Sequence, residues 1–358
     1  MHSRLWYAPL AVALVVAVGL IGDEAPTGPV SAGARLATLS VANLWMPTDI
    51  PSMDVRRGPT GPDAFAPEQV VNCVFVPRAF DGSSPKFACA LDDGDEIKVK
   101  YGPDNGEVYA EVATSRLLWA LGFGADRMYP VRVQCRGCPT DENGVPTRRE
   151  LVEFDPAAVE RRFPGEEIST GPEHGWSWPE LDVIDERAGG APRAHRDALK
   201  LLAAMLQHTD SKPEQQRLVC LSPVRATDRG PVCARPFLLI QDLGKMFGRA
   251  DYVNRDPVAS VNLHAWQAVP VWTDVARCVA RVDTTLTGTL RNPRIGEEGR
   301  AFLAGLLNQL TDAQLRDLFE VARVDRRVTV DRKPSSIEEW VAAFREKRRQ
   351  VNDARCPA

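Results

Sequence analysis

Hydrophobic spacing changes period several times along the chain, and each change marks an element. Residues 70–76, 87–91 and 96–101 read as strands, the last alternating strictly in twos, Glu96-Ile-Lys-Val-Lys-Tyr101. Over residues 106–121 the period becomes helical, with Val108, Val112, Leu117, Leu118 and Leu121 on one face and Gly122 as the stop. Residues 128–133 form a short strand, and residues 140–190 are loop-rich, including Gly175-Trp-Ser-Trp-Pro179. An amphipathic helix over 194–207 leads straight into His208, and strands follow at 217–221 and 237–241. Helical patterns then occupy 297–310, 311–323 and 336–349, with Thr311 and Ser336 as N-caps. No internal repeat is visible. A strand-rich half before a helix-rich half, with one helix among the early strands, predicts an α+β domain of two lobes around a cleft.

Ahead of the first strand the pattern differs. Residues 5–22 carry no charged side chain, Arg4 precedes them, and Asp23 and Glu24 follow. Residues 1–22 therefore read as a signal peptide or a signal anchor, with a length that does not separate the two. The nearest small-x-small cleavage candidate, Ala32-Gly33-Ala34, lies well beyond the apolar run. Residues 23–67, rich in Pro, Gly, Ala and Thr, read as a linker. The body of the protein is thus expected outside the cytoplasm, periplasmic or extracellular, with membrane contact through the N-terminus if that segment is an anchor. Eight cysteines agree with this placement, an even number in an exported chain reading as a disulfide set. Cys220 and Cys233, flanking a turn-rich insertion between two strands, are the best-matched pair. Cys135-Arg-Gly-Cys138 lacks the second pair of ligands that a zinc site wants, which favours a local disulfide or partners elsewhere.

At 358 residues the chain is long enough for one two-lobed domain of roughly 250 residues plus flanks. Its net charge of −4 leaves no basic footprint for nucleic acid. Arginine is used freely, 36 times against eight lysines, yet four of those lysines (Lys86, Lys98, Lys100 and Lys212) fall in the segments that carry chemistry. A retained lysine there suggests that a compact ammonium is wanted.

Phosphoryl transfer needs a lysine against phosphate, a carboxylate that positions it, an Asp at the acceptor hydroxyl, and a second Asp with a neighbour to hold the metal. Candidates occur in that order. Ile97-Lys-Val-Lys100 resembles the V-A-I-K strand of protein kinases and places the phosphate lysine at Lys100, with Lys98 on the same side as a rival. Glu111 in the next helix is the natural partner, and Glu107 the competing one. His208-Thr-Asp-Ser-Lys-Pro-Glu-Gln215 resembles the kinase catalytic loop H-R-D-L-K-P-E-N, with Asp210 and Lys212 at its catalytic positions. Leu239-Ile-Gln-Asp-Leu-Gly244 resembles the strand ending in the D-F-G metal-binding turn, with Asp242 as ligand. Within kinase-like folds the chain resembles HipA-type and related atypical kinases, whose phosphate loop G-x-x-P-K-F matches Gly82-Ser-Ser-Pro-Lys-Phe87 and adds Lys86 to the site.

The resemblance covers about residues 70–250. It implies a kinase-like N-lobe over 68–135, a loop-rich connection over 136–193 and a helical C-lobe over 194–350. It also implies ATP and Mg²⁺ or Mn²⁺ as cofactors, with an acceptor, protein or small molecule, that the sequence does not identify. Gln215 stands where kinases have the metal-binding Asn, with Gln216 as a neighbour able to substitute, and no A-P-E-type segment follows Asp242. Two readings result: a metal-dependent phosphotransferase, or an exported pseudokinase-like binding or scaffold module.

Overall fold

The computed structural model describes residues 32–147, 149–168, 175–225, 232–248, 260–283, 288–328 and 334–357. The segment read as a signal peptide or anchor lies outside them. Helix α1 (Ala32–Ser40) precedes strands β1 (Gln69–Val76), β2 (Lys86–Ala90) and β3 (Glu96–Tyr101), which lead into helix α2 (Gly106–Ala120). Strands β4 (Gly124–Ala125), β5 (Arg127–Arg136), β6 (Leu151–Arg161) and β7 (Glu166–Glu167) follow, then helix α3 (Arg193–Leu206) and strands β8 (Gln216–Cys220) and β9 (Pro236–Ile240). Helix α4 (Leu263–Ala268), the short pair β10 (Trp272–Asp274) and β11 (Val279–Ala280), and helices α5 (Glu297–Leu307), α6 (Asp312–Val321) and α7 (Ile337–Asp353) complete a mixed α+β chain.

The strand-rich part is a closed barrel in the order β1-β2-β3-β6-β5. Neighbours run antiparallel except β1 and β5, whose parallel pairing closes the ring. Period-two alternation sends Ile97, Val99 and Tyr101 of β3 inward to meet Val131, Val133 and Phe154, while Lys98 and Lys100 face out. Strand β6 is a correction: the stretch 136–193 was expected to be loop-rich, yet eleven residues of it close the barrel. Its alternation is broken at Asp155-Pro156, where the β5–β6 register shifts between Val131 and Val133, so Ala157 and Val159 point inward again only after a bulge.

Helix α2 lies outside the barrel and is buried all round, every residue but Trp119. Its polar stripe, Glu107, Glu111, Thr114 and Ser115, is enclosed with the rest. The barrel covers one side, α6 another, and residues 39–58 a third. This last layer corrects the linker reading of 23–67: Leu39, Ala42, Leu44, Ile50 and Val55 belong to the main core. The strap also caps the C-terminus of α2, where carbonyls lack intrahelical partners. Trp45 Nε1 donates to Leu121 O (2.8 Å) and Thr48 Oγ1 to Ala120 O (2.6 Å).

A second sheet has the order β4-β9-β8-β7, and the remaining helices pack on one another, α3 against α5, and α4, α5 and α6 against α7. Thr311 and Ser336 each form a capping box, with Gln314 and Glu339. Arg323, just past α6, reaches the bulged strands and donates to Ala157 O (2.7 Å).

All eight cysteines are paired: Cys73–Cys89, Cys135–Cys138, Cys220–Cys233 and Cys278–Cys356. The expected Cys220–Cys233 bridge is present, and Cys135 and Cys138 bridge each other. Four such pairs fit an oxidising, exported location. Among the described residues no helix is long and apolar enough to cross a membrane.

Candidate active site around Lys100

The outward face of β3 meets the N-terminal half of α2, and this puts Lys100, only 2% exposed, among carboxylates. Asn105 caps α2 by accepting from Glu107 N (3.1 Å). Glu107 and Glu111, one turn apart, then share a face. Both reach the same ammonium. Lys100 Nζ lies 2.6 Å from Glu107 Oε2 and also pairs with Glu111 Oε1. The two glutamates, alternatives in the sequence, are joint partners in the structure.

Asp242 arrives from the other side, two residues beyond β9. Gln241 N and Asp242 N both donate to Gln215 O (2.8 and 3.1 Å), tying the turn to the His208–Gln215 loop. Asp242 Oδ1 accepts from Gly244 N (2.9 Å). Carboxylate oxygens of Glu107, Glu111 and Asp242 lie within 4.8 Å of one another. Burial works against every charge here, and the contacts decide which survive. For Asp242, burial is outweighed by Lys100 and the Gly244 amide, which hold the carboxyl well below its usual range. For Lys100, burial is outweighed by Asp242, Glu107 and Glu111, and the ammonium is held well above its ordinary value. For Glu111 burial wins over Lys100, and its carboxyl is raised.

The other lysines are placed differently. Lys86 is the register partner of Lys100 across β2 and β3. Its Nζ sits 3.3 Å from Ser84 Oγ, and burial with the Lys100 charge lowers its pKa. Lys98 pairs with Glu160 of β6 at 2.5 Å, so its charge is engaged beside the cluster.

Helix α3 ends at Gln207 in the left-handed conformation, which turns the chain into the loop. His208 is fully buried against Trp178, and burial drops its pKa to about 4 in spite of Asp242. It stays neutral and structural. Asp210 is half-exposed, with Lys212 Nζ 3.6 Å from Oδ1 and Gln215 Nε2 donating to Oδ2 (3.2 Å). Burial raises the Asp210 pKa against the pull of Lys212. The amide of Gln215 is thus turned to Asp210. That of Gln216, in the orientation satisfying both its ends, donates to the Lys212 and Pro213 carbonyls and accepts from Trp178 Nε1 (2.9 Å). Trp176 Nε1 donates to Arg217 O and Leu239 O (3.1 and 3.2 Å), so both tryptophans pack the core beneath the loop.

Sequence reading missed Asp126 and Arg217, a buried ion pair in which Asp126 Oδ1 also accepts from Phe163 N (2.7 Å). Burial pushes Asp126 up to about 7 against Arg217. No local motif marks the pair, whose members come from the β4–β5 junction and β8.

No protein-family model and no curated relative matches the chain. Solved structures similar to it include the proinflammatory kinase CtkA of Helicobacter pylori, at 9% identity and a TM-score of 0.40, covering 79% of this chain and 92% of the other. The Golgi casein kinase follows at 10% identity and 0.35, covering 80% and 73%. The Rio2 kinase of Chaetomium thermophilum stands at 12% identity and 0.30, covering 70% and 72%. At such scores the reading of the site rests on its own geometry.

Proposed function

We propose that the protein is a metal-dependent nucleotide phosphotransferase of the atypical kinase type, with a two-lobed kinase-like fold. The barrel with α2 serves as the small lobe and the helical part as the larger. The observation that carries this is the meeting of Lys100, Glu111 and Asp242 in one cluster, tied by backbone bonds to the loop that holds Asp210. Lys100, with Lys86 and Lys98 flanking, supplies positive charge for the phosphates of ATP, and Glu111 orients Lys100. Asp210, with Lys212 beside it, stands at the acceptor hydroxyl. Asp242, with Gln215 next to it, faces the metal, Mg²⁺ or Mn²⁺, which would neutralise phosphate charge there. The donor set suits such a hard cation: Glu111 Oε2 is buried without a hydrogen bond, and carboxylate oxygens are its preferred ligands.

The test is thermal stabilisation by ATP with Mg²⁺ or Mn²⁺, for wild type and Asp242→Ala. Metal-dependent stabilisation absent from the variant supports the site, and phosphate transfer then separates enzyme from binding module. No shift with any nucleotide would overturn the reading. The pseudokinase-like scaffold is favoured by one observation, the engagement of the Gln215 amide with Asp210, which leaves the second metal position differently filled from a typical kinase.

A further inference from the structure

Glu107 and Glu111 both pair with Lys100, and an Asp242 carboxylate oxygen lies within 4.8 Å of theirs, so the cluster holds three carboxyl groups to one directly paired ammonium. Burying unpaired charge is expensive, and such excess persists where a cation compensates it. Two further observations point to a cation. Glu111, 2% exposed, keeps its second oxygen, Oε2, buried and without a hydrogen-bond donor. Glu107 is seated on the Asp242 turn itself: a Cβ on Gly244 would meet Glu107 Cγ at 2.5 Å and Cδ at 2.7 Å. Glycine at 244 therefore lets the Glu107 carboxylate lie against the loop that presents Asp242.

We propose that Glu107 is a divalent-cation ligand together with Asp242, with the Glu111 oxygen completing the set, and that the protein binds one such cation without nucleotide. The inference rests on the reading of Asp242 as a metal ligand, and it replaces the Gln215 amide by a carboxylate from α2. A site built from protein carboxylates does not wait for phosphate oxygens to complete it.

Mn²⁺ titration of the full protein without nucleotide, followed by the loss of the free-ion electron paramagnetic resonance signal, tests this. One site per chain is expected, weakened at least tenfold in both Glu107→Gln and Asp242→Asn. Glu107→Gln keeps the shape and can still accept from Lys100, and its melting temperature without metal reports folding. If it fails to fold, Glu107→Asp keeps the charge but shortens the reach, and the same weakening is expected. Absence of Mn²⁺ binding in wild type, or unchanged binding in the folded Glu107 variant, overturns the proposal. ATP binding measured in parallel separates the two readings. Mn²⁺ bound alone with no ATP response retains the cation site and removes the phosphotransferase, whereas ATP response with no Mn²⁺ binding alone does the reverse.

Discussion

At the scale of single residues, the cost of burial decides what each lysine can do. Lys100 and Lys98 lie two apart on one face of β3, yet Lys100 is enclosed with its partners and Lys98 keeps 27% of its side chain in water. Removing one partner of a buried pair leaves an uncompensated charge, at a cost of about 3–5 kcal/mol, whereas exposed pairs contribute roughly 1 kcal/mol or less. Urea denaturation should therefore find Lys100→Ala strongly destabilised and Lys98→Ala only slightly; equal effects would contradict this placement. Lys347 of α7 makes a different case. It is buried, donates to Val269 O and lies 5.6 Å over the Trp266 ring, and burial lowers its pKa from 10.5 to about 8. Between those two values the unfolded chain holds a proton that the folded one has released, so stability rises with pH across the window. The penalty is present in full below pH 8. Denaturation at intervals from pH 7 to 10.5 should show this rise in wild type and a flatter profile in Lys347→Met.

Among elements, α2 explains both what could be read from the chain and what could not. Its glutamates, its apolar positions and its stop at Gly122 were legible because they follow local rules. Its enclosure was not. The strap over 39–58 has no period, since Leu44, Ile50 and Val55 are spaced by the contour of the helix beneath them. Strand β6 was hidden because Leu151-Val-Glu-Phe154 does not alternate in polarity, only in burial, and Asp155-Pro156 then breaks even that alternation. The joint use of Glu107 and Glu111 was half legible, because helical spacing puts both on one face without saying that one lysine serves both. Gly122 is where strap and helix meet most closely. It has φ +83°, and an added Cβ would fall 2.0 Å from Met46 O. Gly122→Ala is expected to destabilise the fold by roughly 2 kcal/mol or more through backbone strain and displacement of the strap. Calorimetry reads the loss, and earlier proteolysis within residues 39–58 would locate it.

For the molecule as a whole, the disulfides differ in what they constrain. Cys278–Cys356 spans 78 residues and Cys135–Cys138 only 3. The chain-entropy relation assigns the long loop about 4.5 kcal/mol and the short one about 1.6 kcal/mol. Replacing both cysteines of the long pair by Ala should lower the unfolding midpoint far more than the same change at Cys135 and Cys138; the reverse order would mean that the local bridge serves the barrel in another way. The barrel itself sets a kinetic consequence. Its closing seam joins residues 69–74 to residues 131–136, about sixty positions along the chain, while β2 and β3 meet across a short turn. Loop-closure entropy must be met before so distant a pairing returns any energy. The hairpins can form early, but the ring is completed late, and until then β1 and β5 each present an unpaired edge. That interval of open edges is when self-association competes with folding.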